Sequence, residues 1–158
     1  MRDADDELHL VFAQYGALIH LVHLDSSPTA LVPPTTVGDI RRPVVSRLPG
    51  SDRMIRGWIE DIAIAPASTH IFTELSDDNG ETWGERCRVW GTTGTLNQFA
   101  ADLAWDGTGG AVLGACWNID EVVSCATWEA GTCDVDPVEM GPGQDPSVDV
   151  NFGTAHVL

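Results

Sequence analysis

Hydrophobic residues dominate the first predicted element of the chain, a run of 17 residues from Leu8 to Leu24. Three histidines and a central Tyr15-Gly16 pair interrupt this run, which argues against a membrane-spanning helix. The pattern predicts a β-hairpin that turns at Tyr15-Gly16 and is mostly apolar on both faces. Strands of this kind fit a sheet that is covered on both sides by other sheets.

Short apolar or alternating runs recur along the rest of the chain, separated by corners rich in Gly, Pro, Asn and Asp. Three of them resemble one another, and each is predicted to open a sheet unit: residues 58–65 (WIEDIAIA), 99–105 (FAADLAW) and 146–152 (PSVDVNF). None of the runs sustains a helical period of 3.6 residues. The pattern therefore predicts an all-β chain with almost no helix.

The most distinctive corner of the sequence reads SDDNGETW, from Ser76 to Trp83. The short side-chain oxygens of Ser76 and Asp78 can accept hydrogen bonds from nearby backbone N–H groups, and Gly80 can adopt a positive φ. We expect Thr82 to begin the returning strand and Trp83 to bury its ring beside the corner. The segment is thus predicted to form a rigid hairpin corner.

This corner matches the pattern Ser/Thr-x-Asp-x-Gly-x-Thr-Trp and resembles the Asp-box, or BNR repeat, of sialidase-like β-propellers. The resemblance implies a β-propeller blade, and it implies a structural role for Ser76, Asp78, Gly80, Thr82 and Trp83. It covers the corner itself, whereas the rest of the chain shares only a rhythm of strands and turns.

Related corners lie at equal spacing on either side. A polar turn occupies residues 25–29, and a degenerate copy lies 51 residues after the Asp-box, at Thr127, Glu129, Gly131 and Cys133. Equal spacing predicts repeated blades. We expect about three and a half four-stranded antiparallel blades in one unit over residues 1–158, bounded near 1–50, 51–95, 96–142 and 143–158. Closed propellers have four to eight blades, so the chain is predicted to be a segment of a larger propeller or to complete its ring with a homo-oligomer partner.

The chain is strongly acidic, with a formal net charge of −16. Such a surface repels phosphate groups, which excludes the usual nucleic-acid binder or binder of anionic membranes. We expect a glycan or an acidic sugar as ligand. No cofactor and no metal site are predicted.

Four cysteines allow three disulfide pairings. Cys125 and Cys133 flank the degenerate corner, so a cross-strand disulfide between them is predicted if the turn is centred on Glu129, which leaves Cys87 and Cys116 to pair. A zinc site is the alternative, but C-x₂-C spacing and a nearby histidine are missing. Disulfides favour an oxidising compartment, so we expect an extracellular or periplasmic protein whose signal peptide is not in this chain.

The resemblance to sialidases implies an arginine triad for the substrate carboxylate, a tyrosine nucleophile paired with a glutamate, and an aspartate acid/base. Tyr15 is the only tyrosine, but it lies early in the chain where the family's nucleophile lies late. Arg47, in Ser46-Arg47-Leu48-Pro49, partly matches the family's aromatic-Arg-Ile-Pro motif. Glu60 and Asp61 are generic acid/base candidates, or else a solvated strand end.

Five of the eight arginines fall within residues 41–56. Guanidinium groups suit bidentate recognition of carboxylates, which makes Arg41, Arg42 and Arg47 the candidate ligand-binding residues. Alternatively, these arginines only offset the acidic field in a Pro-rich connector. Two functions follow: an exported, non-catalytic propeller segment that binds glycans or protein partners, or a fragment of an exo-sialidase whose other catalytic residues lie outside this chain.

Overall fold

The computed structural model describes residues 9–14, 17–22, 29–32, 39–48, 50–62, 68–93, 96–105, 111–129, 132–133, 135–144, 146–151 and 154–157. All regular structure in these ranges is β-strand, which confirms the all-β prediction. The same ranges contain no helical segment that could cross a bilayer.

The strands form four antiparallel sheets in chain order. The first sheet contains β1 (His9–Gln14), β2 (Ala17–Val22) and β3 (Thr29–Val32). The second contains β4 (Ile40–Arg47), β5 (Met54–Ile62), β6 (Ser68–Ser76) and β7 (Cys87–Thr92). The third contains β8 (Leu96–Trp105), β9 (Ala111–Ile119), β10 (Val122–Glu129) and β11 (Val138–Pro142). The fourth pairs β12 (Val148–Asn151) with β13 (Thr154–Val157).

The N-terminal hairpin forms as predicted. Strands β1 and β2 pair in one continuous register, from His9 opposite Val22 to Gln14 opposite Ala17. Tyr15 and Gly16, at the predicted turn, lie outside the described residues.

Neighbouring sheets meet along their leading strands. Strand β1 contacts β4, β4 contacts β8, and β8 contacts β12. Two of the three segments predicted to open a sheet do so, since residues 99–105 belong to β8 and β12 lies within residues 146–152. The sheets therefore follow one another with their first strands side by side.

The third such segment is not a first strand, which corrects the sequence prediction. Residues 58–62 belong to β5, the second strand of its sheet, and the sheet begins instead with β4. The register between β4 and β5 shifts between Arg41 and Val44, where Arg42 has a φ of +52° and Pro43 lacks an N–H group. An edge strand tolerates such a bulge, so this Pro-containing segment is a strand and not a connector.

The second and third sheets pack together around an apolar core. Ile55, Ile59 and Ile71 from the second sheet meet Trp117 and Trp128 from the third. Burying each of the three isoleucine side chains contributes about 1.5–3 kcal/mol. The alternate positions of β5 and β6 are also buried, but they carry Arg56, Glu60 and Glu74 beside the rings of Trp58 and Phe72.

The degenerate corner lies where the repeat predicts, but it has a different local structure. The Ser76–Trp83 corner links the third and fourth strands of its sheet, and residues 130–137 link the third and fourth strands of the next. Thr127 and Glu129 are still within β10, and the N–H of Thr132 donates to the carbonyl of Glu129 at 3.1 Å. Gly131, and residues 25–28 of the earlier polar turn, lie outside the described residues.

The predicted Cys125–Cys133 disulfide is wrong. Cys125 pairs with Cys116, its direct register partner on β9, with a Cα–Cα distance of 4.1 Å. Cys133 pairs with Cys87 at the start of β7, with a Cα–Cα distance of 5.3 Å. Strand β10 extends through Glu129, so Cys133 lies beyond the strand and reaches the neighbouring sheet. Two disulfides indicate an oxidising compartment.

Candidate functional site

The Ser76–Trp83 turn is held by its own side chains, as expected. Ser76 Oγ accepts hydrogen bonds from the N–H of Gly80 at 2.8 Å and of Asp78 at 3.3 Å, and donates to Asp78 Oδ1 at 2.7 Å. Asp78 Oδ1 accepts from the N–H of Thr82 at 2.9 Å. Gly80 has a φ of +87°, a conformation that glycine adopts without strain.

These contacts also set the charge of Asp78. The Thr82 hydroxyl, the Thr82 backbone N–H and the Ser76 hydroxyl hydrogen-bond to its carboxylate and lower its pKa. Hydrogen bonds to the charged form stabilise that form, so Asp78 stays anionic down to a lower pH than an ordinary aspartate.

The end of the turn differs from the sequence expectation. The returning strand begins at Cys87, five residues after Thr82, and Trp83 is only half-buried. The indole N–H of Trp83 donates to the carbonyl of Gly80 at 3.1 Å, while the guanidinium of Arg56 covers its ring, with Cζ 4.1 Å from the centroid. The ring is therefore fixed in place and still reaches the surface.

A pocket of about 490 Å³ opens beside this turn. Its wall includes residues from the turn and its flanks in the second sheet, and residues from β10 and the segment that follows it in the third. Among them are Arg53, Asp77, Trp83, Arg86, Trp128 and Cys133. The Cys87–Cys133 disulfide joins the two sides of the pocket covalently. The pocket thus lies between the second and third sheets, and this disulfide holds its two walls together.

Each arginine at the pocket is paired with a carboxylate. Arg53 Nε lies 2.6 Å from Asp77 Oδ1, and Arg86 Nη1 lies 3.2 Å from Glu60 Oε2. Below Trp83, Arg56 Nε and Nη2 both donate to Glu74 Oε2, the Nε bond at 2.7 Å.

Buried aromatic rings support these charges. The Arg86 guanidinium lies over Phe72 and Trp58, at 4.9 and 5.1 Å from their centroids. Arg56 is 3% exposed; desolvation lowers its pKa, and the contacts with Glu74 oppose that effect. A buried ion pair of this kind is costly to break from one side, which makes it a stable floor for the pocket.

The structure does not bring together the three arginines predicted from sequence to bind an anionic ligand. Arg41 donates two hydrogen bonds to the Asp61 carboxylate, from Nε to Oδ2 at 2.6 Å and from Nη2 to Oδ1 at 2.9 Å. Arg42 is exposed and lies next to Arg41 at the bulge. Arg47 is at the far end of β4, about 20 Å from Arg41 along a strand that rises about 3.3 Å per residue. Residues that are close in sequence are here spread along one strand.

The carboxylate candidates are also engaged. Glu60 is fully buried beside Arg86, which corrects the interpretation as a solvated strand end, and Asp61 accepts from Thr69 as well as Arg41. The hydrogen bond from Arg41 is the main reason that the pKa of Asp61 is lowered. Tyr15 lies outside the described residues.

The pocket residues Glu74, Arg86 and Trp128 were not predicted from the sequence, and Arg53 was predicted only as a member of the arginine group at residues 41–56. Charged residues at alternate positions of otherwise buried strands, Arg56 in β5 and Glu74 in β6, were the available signal. Their pairing across the sheet could not be read from spacing alone. Among the described residues, no group of His, Cys, Asp and Glu side chains is arranged to hold a metal ion.

Comparisons with known proteins define the fold only. No protein-family model and no curated protein matches the chain. A solved structure of a polysaccharide lyase, PL25 ulvan lyase, matches 96% of the chain with a TM-score of 0.62 and 12% sequence identity. The chain spans 46% of that structure's length.

Proposed function

We propose that this chain is a non-catalytic segment of an Asp-box β-propeller that binds a saccharide in the pocket beside the Ser76–Trp83 turn. The observation that carries the proposal is a half-buried Trp83 ring, fixed by Arg56 and Gly80 and bordering a pocket with charged walls. A rigid aromatic surface surrounded by polar groups is suited to a sugar ring, which has apolar faces and a polar rim.

The arrangement of sheets supports the propeller. Successive antiparallel sheets meet through their leading strands, and the two four-stranded sheets place related corners between their third and fourth strands. Radial repetition of four-stranded sheets is the plan of β-propellers. The two disulfides support an extracellular or periplasmic location.

The separation of the predicted catalytic candidates supports a binding role. A sialidase-type site needs several arginines converging on one carboxylate, but Arg41 is paired with Asp61 and Arg47 lies at the other end of β4. The alternative, a fragment of an exo-sialidase, would draw its catalytic residues from sequence outside this chain.

Calorimetric titration of the purified chain with neutral and acidic oligosaccharides tests the proposal. Trp83→Ala should weaken binding at least about tenfold, because the stacking surface is lost. Arg42→Ala, at the bulge of the opposite edge strand, is the control and should bind normally. Binding that does not depend on Trp83, or a chain that binds none of the sugars, contradicts the proposal.

The same chain should release no product from a fluorogenic sialoside. Turnover that disappears in Tyr15→Phe or Arg47→Ala would favour the sialidase alternative.

A further inference from the structure

The three arginines at the pocket and its floor already have carboxylate partners. Arg53 is paired with Asp77, Arg56 with Glu74 and Arg86 with Glu60. Bidentate recognition of a ligand carboxylate takes two parallel N–H donors of one guanidinium group. If one of these arginines turned to an acidic ligand, it would leave an aspartate or glutamate without its partner beside the new negative charge.

Two further carboxylates border the pocket. Asp78 and Glu85 line its wall, and within the described ranges neither makes a salt bridge. Carboxylates thus exceed guanidinium groups by two at the pocket and its floor. The whole chain is also negatively charged, with a formal net charge of −16.

Resting on the proposed function, we infer that the pocket takes an uncharged saccharide and rejects uronic and other acidic sugars. Trp83 and Trp128 provide aromatic surface that does not depend on ligand charge, whereas a ligand carboxylate would enter a pocket that carries an excess of its own charge. This specificity is opposite to that expected from an arginine cluster at residues 41–47.

Matched ligands separate this inference from the proposed function. Each neutral oligosaccharide that binds is compared by calorimetry with the same oligosaccharide carrying one residue oxidised at C6 to the uronate. The uronate should bind at least about tenfold more weakly at low salt. The difference should narrow at 0.3 M salt, because exposed charges are screened.

Glu85→Gln, which removes one charge from the pocket wall, should reduce the discrimination by severalfold, measured as the ratio of the affinities for the neutral sugar and its uronate. Glu139→Gln, on the exposed strand β11, removes the same charge elsewhere and should leave the discrimination intact. A uronate that binds as tightly as its neutral counterpart, or more tightly, overturns this inference while Trp83-dependent binding still supports the proposed function. Absence of any Trp83-dependent binding overturns both.

Discussion

The hydroxyl of Ser76 lies at the centre of the turn beside the pocket. It is buried, accepts from two backbone N–H groups and donates to Asp78. The sequence alone predicted that this oxygen accepts from backbone N–H groups, because short side-chain oxygens in a glycine-containing corner have few other partners within reach. It did not predict that Trp83 stays half-exposed, since that depends on Arg56 from another strand.

Replacing Ser76 with Ala should lower the free energy of unfolding by about 1–3 kcal/mol, because the buried N–H of Gly80 loses its acceptor. Urea denaturation measures this change. Thr127→Val removes a hydroxyl from an exposed position on β10 and should change stability by less than about 0.5 kcal/mol. Equal effects of the two substitutions would show that the turn does not depend on Ser76.

Asp61 should contribute to acid sensitivity. Its folded-state pKa lies below the usual 3.8, chiefly because of Arg41, so its stabilising effect is complete above that value and is lost as the pH falls through the lower, folded-state pKa. Asp61→Asn should therefore lower stability at neutral pH and flatten the decline below about pH 4. Parallel stability curves for the two proteins between pH 2 and pH 7 would contradict this assignment.

At the scale of elements, β4 shows where sequence patterns fail. Pro43 and a group of arginines indicated a connector, yet the segment pairs with β5 on both sides of a bulge. By contrast, the β1–β2 hairpin and the leading strands β8 and β12 follow from apolar runs and turn residues. Local patterns predict strands well when each strand is regular, and they miss a strand whose irregularity is accommodated at a sheet edge.

Strand β7 depends on a glycine at a close approach. A Cβ atom at Gly91 would lie 2.3 Å from His70 Nδ1, and His70 Nε2 is held 2.8 Å from Ser68 Oγ. Gly91→Ala should therefore destabilise the protein by about 1–3 kcal/mol, because the ring must move and lose this contact. His70→Ala combined with Gly91→Ala should recover most of that loss in a double-mutant cycle. Additive effects would contradict the close packing.

At the scale of the whole molecule, the covalent links between distant segments were not predictable. Four cysteines allowed three pairings, and the choice depended on where β10 ends and on how two sheets face each other. The pocket could not be predicted for the same reason, because its residues come from both the second and the third sheets. The order of corners indicated repeated sheets, but only their packing brought Trp83, Arg86 and Trp128 together.

The two disulfides should therefore act differently. In the chain-entropy account, the link between Cys87 and Cys133, 46 residues apart, contributes about 4 kcal/mol, and the link between Cys116 and Cys125, 9 residues apart, about 2.5 kcal/mol. Replacing both Cys87 and Cys133 with serine should also weaken saccharide binding, since it removes the covalent link between the two pocket walls. Serine at both Cys116 and Cys125 is the control and should leave binding intact. Loss of binding in the control alone would contradict the location of the site.

The most direct test of the account is hydrogen–deuterium exchange of the native protein with and without a saturating oligosaccharide that binds. Ligand protection reports where the site lies without altering any residue. We predict slower exchange in peptides covering residues 73–87 and 128–133, and unchanged exchange in residues 40–47. Protection of residues 40–47, with none at the Ser76–Trp83 turn, would place the ligand on the arginines of β4 and contradict the proposed site.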